Sequence, residues 1–461
     1  MRICSRLIAH FSALTVLVPF ARPLAAQTGA VINEPQTPRA RQTLGATMSA
    51  EEWRADLRYM SAQLRTTHKN LFHAVSEATF DSAVASLDAR IPSLRREQIV
   101  VAMARIVAMV GDGHTNIYPT RDAQVGFHAF PVSLYSFRDG LFVRAARDDH
   151  SALVGAKILR IGDVSAASAY ALIRTMVGRD NEQGARFFVP NLMVMPEVLS
   201  ALGIAASEDS VRVEIERDGV RRVAWLRAPG PIDMMTADTD RSWRHRAGWV
   251  DARDTSRARE PLWLRDDPDS TLRLTVLPRS NAVYARINKV GDARSETLDR
   301  FAARLFRTVD SVRADKLIID LRMNRGGDGT LLKPLEIGAV KSRTNHPGGL
   351  IVLTSRSTWS AAQFFLDFLE SYTDAVFIGE PSASRGNAYG DSRKITLPHS
   401  GITVRASVFW WQDWHPLDDR PWIAPTVDVQ PTFADYRANR DPVLDAALRY
   451  TALPPERHTA P

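Results

Sequence analysis

The sequence predicts an α/β protein: a helical N-terminal unit, then a small β-rich module, then a layered C-terminal core. Three observations carry this. Apolar residues recur at helical spacing as far as Val110. Short β-type runs punctuated by Asp-Gly and Gly-Ala follow. From about residue 271, strands and helices alternate, which is the pattern of a layered α/β domain. The 461 residues allow two or three domains, and 45% hydrophobic with 24% charged residues is ordinary for a globular chain. These proportions exclude a wholly disordered chain and a multi-spanning membrane protein.

The first element is an export signal. Arg2 and Arg6 precede a mostly apolar run over 7–20, and small residues follow at Ala25 and Ala26. The run is shorter than the about 20 residues that a bilayer span needs. Charge, apolar run and small residues in that order read as a signal over 1–26, with cleavage expected after Ala26. The product is then exported, periplasmic or extracellular. A retained single-pass anchor is the alternative. The only cysteine, Cys4, would leave with the signal, so disulfides, thiolate catalysis and a cysteine zinc site are excluded.

Residues 27–47 are rich in Pro, Thr, Gln and Ala without periodicity and read as a flexible lead-in. A helical unit is expected over 48–115. Ser49 stands as a cap with Glu52 three residues on, and Trp53, Leu57, Met60 and Leu64 follow at helical spacing. A β-rich module is expected over 116–228, with strands near 130–134, 141–145 and 157–161, a helix over 168–177, and a hairpin across Asp218-Gly219. Pro229, Gly230 and Pro231 open a connector over 229–270, where Trp243, Trp249 and Trp263 argue for packing. The core is expected over 271–452, with strands near 272–277, 282–287, 317–321, 350–353 and 375–378. Helices are expected near 295–313, 331–340 and 361–372, and a last one from Asp441. Residues 453–461 form a tail.

The 59 Lys+Arg against 52 Asp+Glu give a net charge of +7. The basic residues are spread among acids with no compact run, so no nucleic-acid surface is indicated.

Three stretches break their local pattern. In Gly111-Asp112-Gly113-His114-Thr115 the glycines free the backbone for a turn that displays His114, the side chain suited to base catalysis near neutrality. Its ordinary explanation is a histidine at a helix C-terminus. The strand Leu317-Ile318-Ile319-Asp320-Leu321-Arg322 runs into Asn324-Arg325-Gly326-Gly327, whose backbone N–H groups are placed to meet an oxyanion. Its ordinary explanation is a strand-to-helix turn. Ser360-Ala361-Ala362 opens a helix. A serine there is commonly only a cap, but it also suits a nucleophile at a helix N-terminus.

In this order and spacing, the three stretches resemble the tail-specific (C-terminal-processing) serine peptidases, in the branch whose core is like that of tricorn protease. Phe377-Ile378-Gly379-Glu380 and Asp441-Pro442-Val443-Leu444 extend the match, which covers about 100–450. The resemblance implies a crotonase-like (Clp-like) α/β core, a PDZ-like module at 130–228, and hydrolysis of peptide bonds without metal or cofactor. It implies Ser360 as nucleophile and His114 as base. The N–H groups of Gly327 and Ala361 would form the oxyanion hole, with Gly326 a close alternative. Many members use a lysine base, but Arg385 stands at that place and cannot deprotonate. Lys394 is the only lysine after Ser360. The branch also uses an acid near the end of the core; Asp419 matches by position, with Asp418 the alternative.

Gly113 stands where tricorn has a serine, and Gln363 where a glutamate is common. Asp139-Gly140-Leu141-Phe142-Val143 faintly resembles a carboxylate-binding loop, which implies edge-strand addition of a substrate C-terminus. The expected partner is a peptide or protein, with no nucleic acid, no stable membrane insertion and the oligomeric state open. Two other functions remain on the same fold: a non-catalytic protein binding hydrophobic ligands or peptides, and an adaptor working through the module.

Overall fold

The computed structural model describes residues 48–227, 247–256, 260–265 and 271–452. The expected signal and lead-in, most of the expected connector and the tail lie outside the described residues.

Helix α1 (Ala50–Thr67) opens on a capping box: Ser49 Oγ accepts the Glu52 N–H at 3.2 Å, and the Glu52 carboxylate accepts the Ser49 N–H at 2.7 Å. It buries Trp53, Leu57, Met60 and Leu64, the residues that the periodicity marked. Helices α2 (Glu77–Arg90) and α3 (Arg96–Ala108) follow, and α3 is apolar nearly all round. A helix of that kind belongs inside a core. The N-terminal helices, the β-rich module and part of the later hairpin share one apolar cluster, to which Val107, Val132, Ile158, Ile395 and Val404 all belong.

The module contains β1 (Val132–Phe137), β2 (Gly140–Arg147), β3 (Lys157–Ile161), β4 (Val164–Ser165), α4 (Ala166–Arg174), α5 (Glu182–Leu192), α6 (Pro196–Ala201), β5 (Ser210–Arg217), β6 (Val220–Arg227) and β7 (Trp249–Asp251). Its sheet runs β1-β2-β3-β5-β6, with β4 on β3 and β7 on β2. The structure adds α5 and α6, which the periodicity did not mark. Pro190 lies inside α5 and breaks the expected pattern. The expected carboxylate loop is already occupied. Asp139 Oδ1 accepts the Phe433 N–H at 2.9 Å, and Phe142 stacks on Phe433 with ring centroids 4.4 Å apart. Strand β2 is paired on both sides, so edge-strand addition has no free edge there.

The core contains β8 (Leu272–Leu277), β9 (Ala282–Ile287), α7 (Leu298–Ser311), β10 (Lys316–Asp320), α8 (Lys333–Lys341), β11 (Leu350–Thr354), α9 (Ala361–Tyr372), β12 (Val376–Gly379), β13 (Asn387–Thr396), β14 (Thr403–Gln412), β15 (Val427–Asp428), α10 (Phe433–Arg437) and α11 (Pro442–Arg449). The sheet order is β15-β12-β11-β10-β9-β8, parallel except at β8, while β13 and β14 form a separate antiparallel ribbon. Apart from Arg286 and Asp320 near their carboxyl ends, strands β9, β10 and β11 are largely apolar on both faces because helices cover both. Leu317, Ile319 and Val352 pack with residues of α7, α8 and α9, while Ile318, Ile351 and Leu353 pack with residues of α11. The carboxyl ends of β10 and β11 open into the loops that carry Gly327 and Ser360, the usual place for a site in a parallel sheet.

Candidate active site

The His114 loop is built around one buried carboxylate. Helix α3 ends at Ala108, and Gly111 at φ +87° turns the chain where side-chain-bearing residues are strained. Asp112 Oδ1 then accepts the N–H groups of His114 (2.9 Å) and Thr115 (2.8 Å) and the Ser407 hydroxyl (2.7 Å). Asp112 Oδ2 lies 2.9 Å from His68 Nε2. His68 Nδ1 accepts the Asn70 N–H at 3.0 Å, which places the His68 proton on Nε2, donated to Asp112. Burial alone would raise the Asp112 carboxyl, but hydrogen bonds from His68 and Ser407 outweigh it and hold the group below its ordinary range. The bond from this loop to the end of α3 comes from Gly111, whose N–H meets the Ala108 carbonyl at 3.3 Å, and not from His114.

Ser360 follows β11 across a short loop. The Trp359 N–H donates to the Asn324 carbonyl (3.1 Å), and the Ser360 N–H donates to Ser384 Oγ (3.0 Å). Ser360 has φ 57° and ψ −131°, and its side chain makes no capping bond to α9. A capping serine has extended backbone and spends its oxygen on the helix. Here the oxygen points elsewhere: Ser360 Oγ lies 3.1 Å from His114 Nε2, between residues 246 apart in sequence. Behind the serine, Ser382 Oγ donates to Gln363 Oε1 (2.5 Å), and Gln363 Nε2 donates to Asp367 Oδ1 (2.7 Å).

The imidazole lies against the Trp359 indole, with centroids 4.0 Å apart and planes 19° apart. His114 as a residue is half-buried, but its Nδ1 is enclosed and has no partner in hydrogen-bond geometry among the described residues. Burial pushes the ring down from 6.5 to about 4; the Asp112 charge and the Tyr389 backbone oppose this, and Arg325 and Arg405 add to it. The ring is therefore neutral at neutral pH, with Nε2 available to take the Ser360 proton once Nδ1 carries the ring's own.

The Gly326–Gly327 segment runs directly against the serine: a Cβ on Gly326 would lie 2.6 Å from Ser360 Cβ and 2.8 Å from the Ala361 nitrogen. The Gly326 N–H is taken by Asn324 Oδ1 at 2.9 Å. The N–H groups of Gly327 and Ala361 have no acceptor among the described residues. Of the two glycines left open by the sequence, Gly327 is thus the one with a donor to offer.

The expected acids do not reach the histidine. Asp419 is exposed, and Asp418 accepts from the Arg420 guanidinium at 2.9 Å. The neighbouring Arg420 stacks on Trp414, its guanidinium carbon 3.8 Å from the ring centroid. Lys394 is exposed on β13, and Arg385 donates through Nε to the Asp180 carbonyl at 2.9 Å. Asp180, which the sequence did not single out, is buried beside the site. Its Oδ1 accepts the Gly113 N–H at 2.7 Å, and its Oδ2 faces the Trp359 indole N–H at 3.4 Å. Burial first, then the Asp112 charge, raises it from 3.8 to about 7. Trp359 and Ser384 were also missed. The tryptophan adjoining Ser360 and the cap residue Asn181 adjoining Asp180 were the only local signals.

No protein-family model and no curated protein sequence matches the chain. Solved structures do. A CPAF mutant superposes with TM-score 0.60 at 11% identity, covering 88% of this chain and 99% of that one. Mature CPAF complexed with lactacystin gives TM-score 0.58 at 12% identity, covering 87% and 98%. At such identities the likeness is one of fold. The chain therefore has the fold of mature CPAF.

Proposed function

We propose that this protein is an exported serine peptidase that hydrolyses peptide bonds of proteins or peptides, with Ser360 as nucleophile and His114 as base. The observation that carries the reading is the 3.1 Å approach of His114 Nε2 to the Ser360 oxygen, made by a serine that does not cap its helix. As Oγ attacks the peptide carbonyl carbon, its proton passes to Nε2. The carbonyl oxygen becomes an oxyanion that accepts from the Gly327 and Ala361 N–H groups, with the N-terminus of α9 adding its dipole. The imidazolium gives its proton to the leaving amine as the C–N bond breaks. Water, deprotonated by His114, then releases the acyl group from Ser360. Neither Asp418 nor Asp419 takes part.

A fluorophosphonate probe and labelled casein test this. Wild-type protein is expected to be labelled at Ser360 and to cleave casein, and Ser360→Ala and His114→Ala to do neither. Unlabelled, inactive wild-type protein would favour the ligand-binding function. Export rests on the charge, apolar run and small residues at the N-terminus. Mass spectrometry of the secreted fraction should find a chain beginning at Gln27. No helix among the described residues is long and apolar enough to cross a membrane.

A further inference from the structure

The site holds a nucleophile, a base and two oxyanion donors, yet among the described residues no carboxylate hydrogen-bonds the imidazole. What keeps the ring against the serine lies one layer out. Asp180 stands just before α5, in the module, and is 6% exposed. Among the described residues its carboxylate has two hydrogen-bond partners, and each adjoins a reacting residue. Gly113, whose N–H it accepts at 2.7 Å, precedes His114; Trp359, whose indole N–H faces it at 3.4 Å, precedes Ser360 and stacks on the imidazole. One side chain thus links the base loop to the nucleophile loop.

Asp180 is itself held from both sides. Arg385 Nε donates to its carbonyl at 2.9 Å. Asn181 caps α5 and donates to the carbonyls of Ser382 (3.1 Å) and Pro421 (2.8 Å) in the core. The carboxylate and the indole close over Gly113: a Cβ there would lie 3.0 Å from Trp359 Nε1 and 3.1 Å from Asp180 Oδ2. A side chain at 113 and this clamp compete for the same volume, which accounts for glycine there.

We propose that Asp180 is the positioning residue of this site, holding the imidazole against the Ser360 hydroxyl by accepting from Gly113 and Trp359. The proposal rests on the serine–histidine reading. Its test is the second-order rate of fluorophosphonate labelling of the full chain, followed against pH. Asp180→Ala is expected to slow labelling about 10- to 100-fold, the scale of an ångström-sized misplacement. It should also move the acid limb of the profile up toward about 6.5, the ordinary histidine value, as the ring gains solvent. The charges acting on His114 are Asp112, Arg325 and Arg405. All three stay in place, so the move reads the burial of the ring. Asp180→Asn keeps an acceptor for the Gly113 N–H and should recover most of the rate. Trp359→Phe keeps an aromatic face for the imidazole, loses the indole donor, and should slow labelling a few-fold.

Asp180→Ala labelled at the wild-type rate with an unmoved limb would overturn the proposal and leave the serine–histidine reading standing. If Asp180→Ala does not fold, wild-type rates in Asp180→Asn and Trp359→Phe together overturn it. Absence of labelling in the wild type itself would sink the serine–histidine reading, and the proposal with it.

Discussion

Ser360 sits at φ 57°, a region that strains a residue with a side chain by about 1–3 kcal/mol. Because its oxygen caps nothing, Ser360→Ala loses no helix bond and should melt within a few degrees of wild type while losing all labelling. Ser360→Gly relieves the strain and should melt above Ser360→Ala, although glycine also gains entropy in the unfolded chain. An alanine variant that unfolds early would show the hydroxyl to be structural. His114 supports a pH prediction. Its buried ring is pushed down to about 4, so the base form persists well into acid. The acid limb of wild-type labelling should lie below the 6.5 of an unperturbed histidine. A limb at or above 6.5 would mean that the ring is solvated, or that a carboxylate reaches it. Asp419→Asn and Lys394→Met should leave rate and limb unchanged, since both side chains are exposed.

At the scale of elements, the site depends on how β10 ends. The Gly326–Gly327 turn docks against Val290, with the Val290 N–H on the Gly326 carbonyl and the Asp328 N–H on the Val290 carbonyl, both at 2.9 Å. Gly327 has φ +145°, and a Cβ there would lie 1.9 Å from the Val290 oxygen. Gly327→Ala must therefore push the turn away from Val290 and swing the N–H off the oxyanion position. Loss of one such donor costs about 10²–10³ in rate. The expected result is a loss of casein cleavage on that scale together with a lowered melting temperature. A variant that melts lower but cleaves normally would remove Gly327 from the oxyanion hole.

At the scale of the molecule, the site is assembled from three stretches: His114 after the N-terminal helices, Asp180 from the module and Ser360 from the core. Beneath it, a buried ionic cluster ties β10 to α11. Arg322 donates to Asp320 (2.6 Å) and to Asp441 (2.7 Å), and the Tyr284 hydroxyl donates to Asp320 (2.6 Å). Asp441 also caps α11. Arg322→Met strands two buried carboxylates and should cost about 3–5 kcal/mol, read as a lower urea midpoint. A midpoint within error of wild type would contradict it. Two buried groups also set opposing slopes of stability with pH. His114 falls to about 4 from 6.5 on folding, so the unfolded chain binds more protons between those values and stability rises with pH. Asp180 rises to about 7 from 3.8, so the folded chain binds more protons and stability falls as pH rises through that window. Asp180→Asn removes the second slope. Its urea midpoint should climb more steeply than that of wild type between about pH 4 and 6.5; parallel curves would refute the assignment.

Elements whose periodicity is local are legible in the amino-acid order. Helix α1 with its capping box, the strands β3, β8 and β9, and helix α9 fall where spacing and turn residues put them, because period and caps act within a few residues. That order also marked Ser360, His114 and the paired glycines, since each breaks the pattern around it. Which of these residues meet is set by long-range packing. The 3.1 Å contact joins positions 246 residues apart, and no local preference encodes a distance of that kind. The choice between Gly326 and Gly327 turned on one hydrogen bond to Asn324. Asp418 and Asp419 matched by position, yet their loop packs on Arg420 and Trp414 rather than on the histidine. Asp180 carried no motif, and α5 behind it was hidden by Pro190. A buried carboxylate acquires its role from the groups that packing aims at it, and those come from two other parts of the chain.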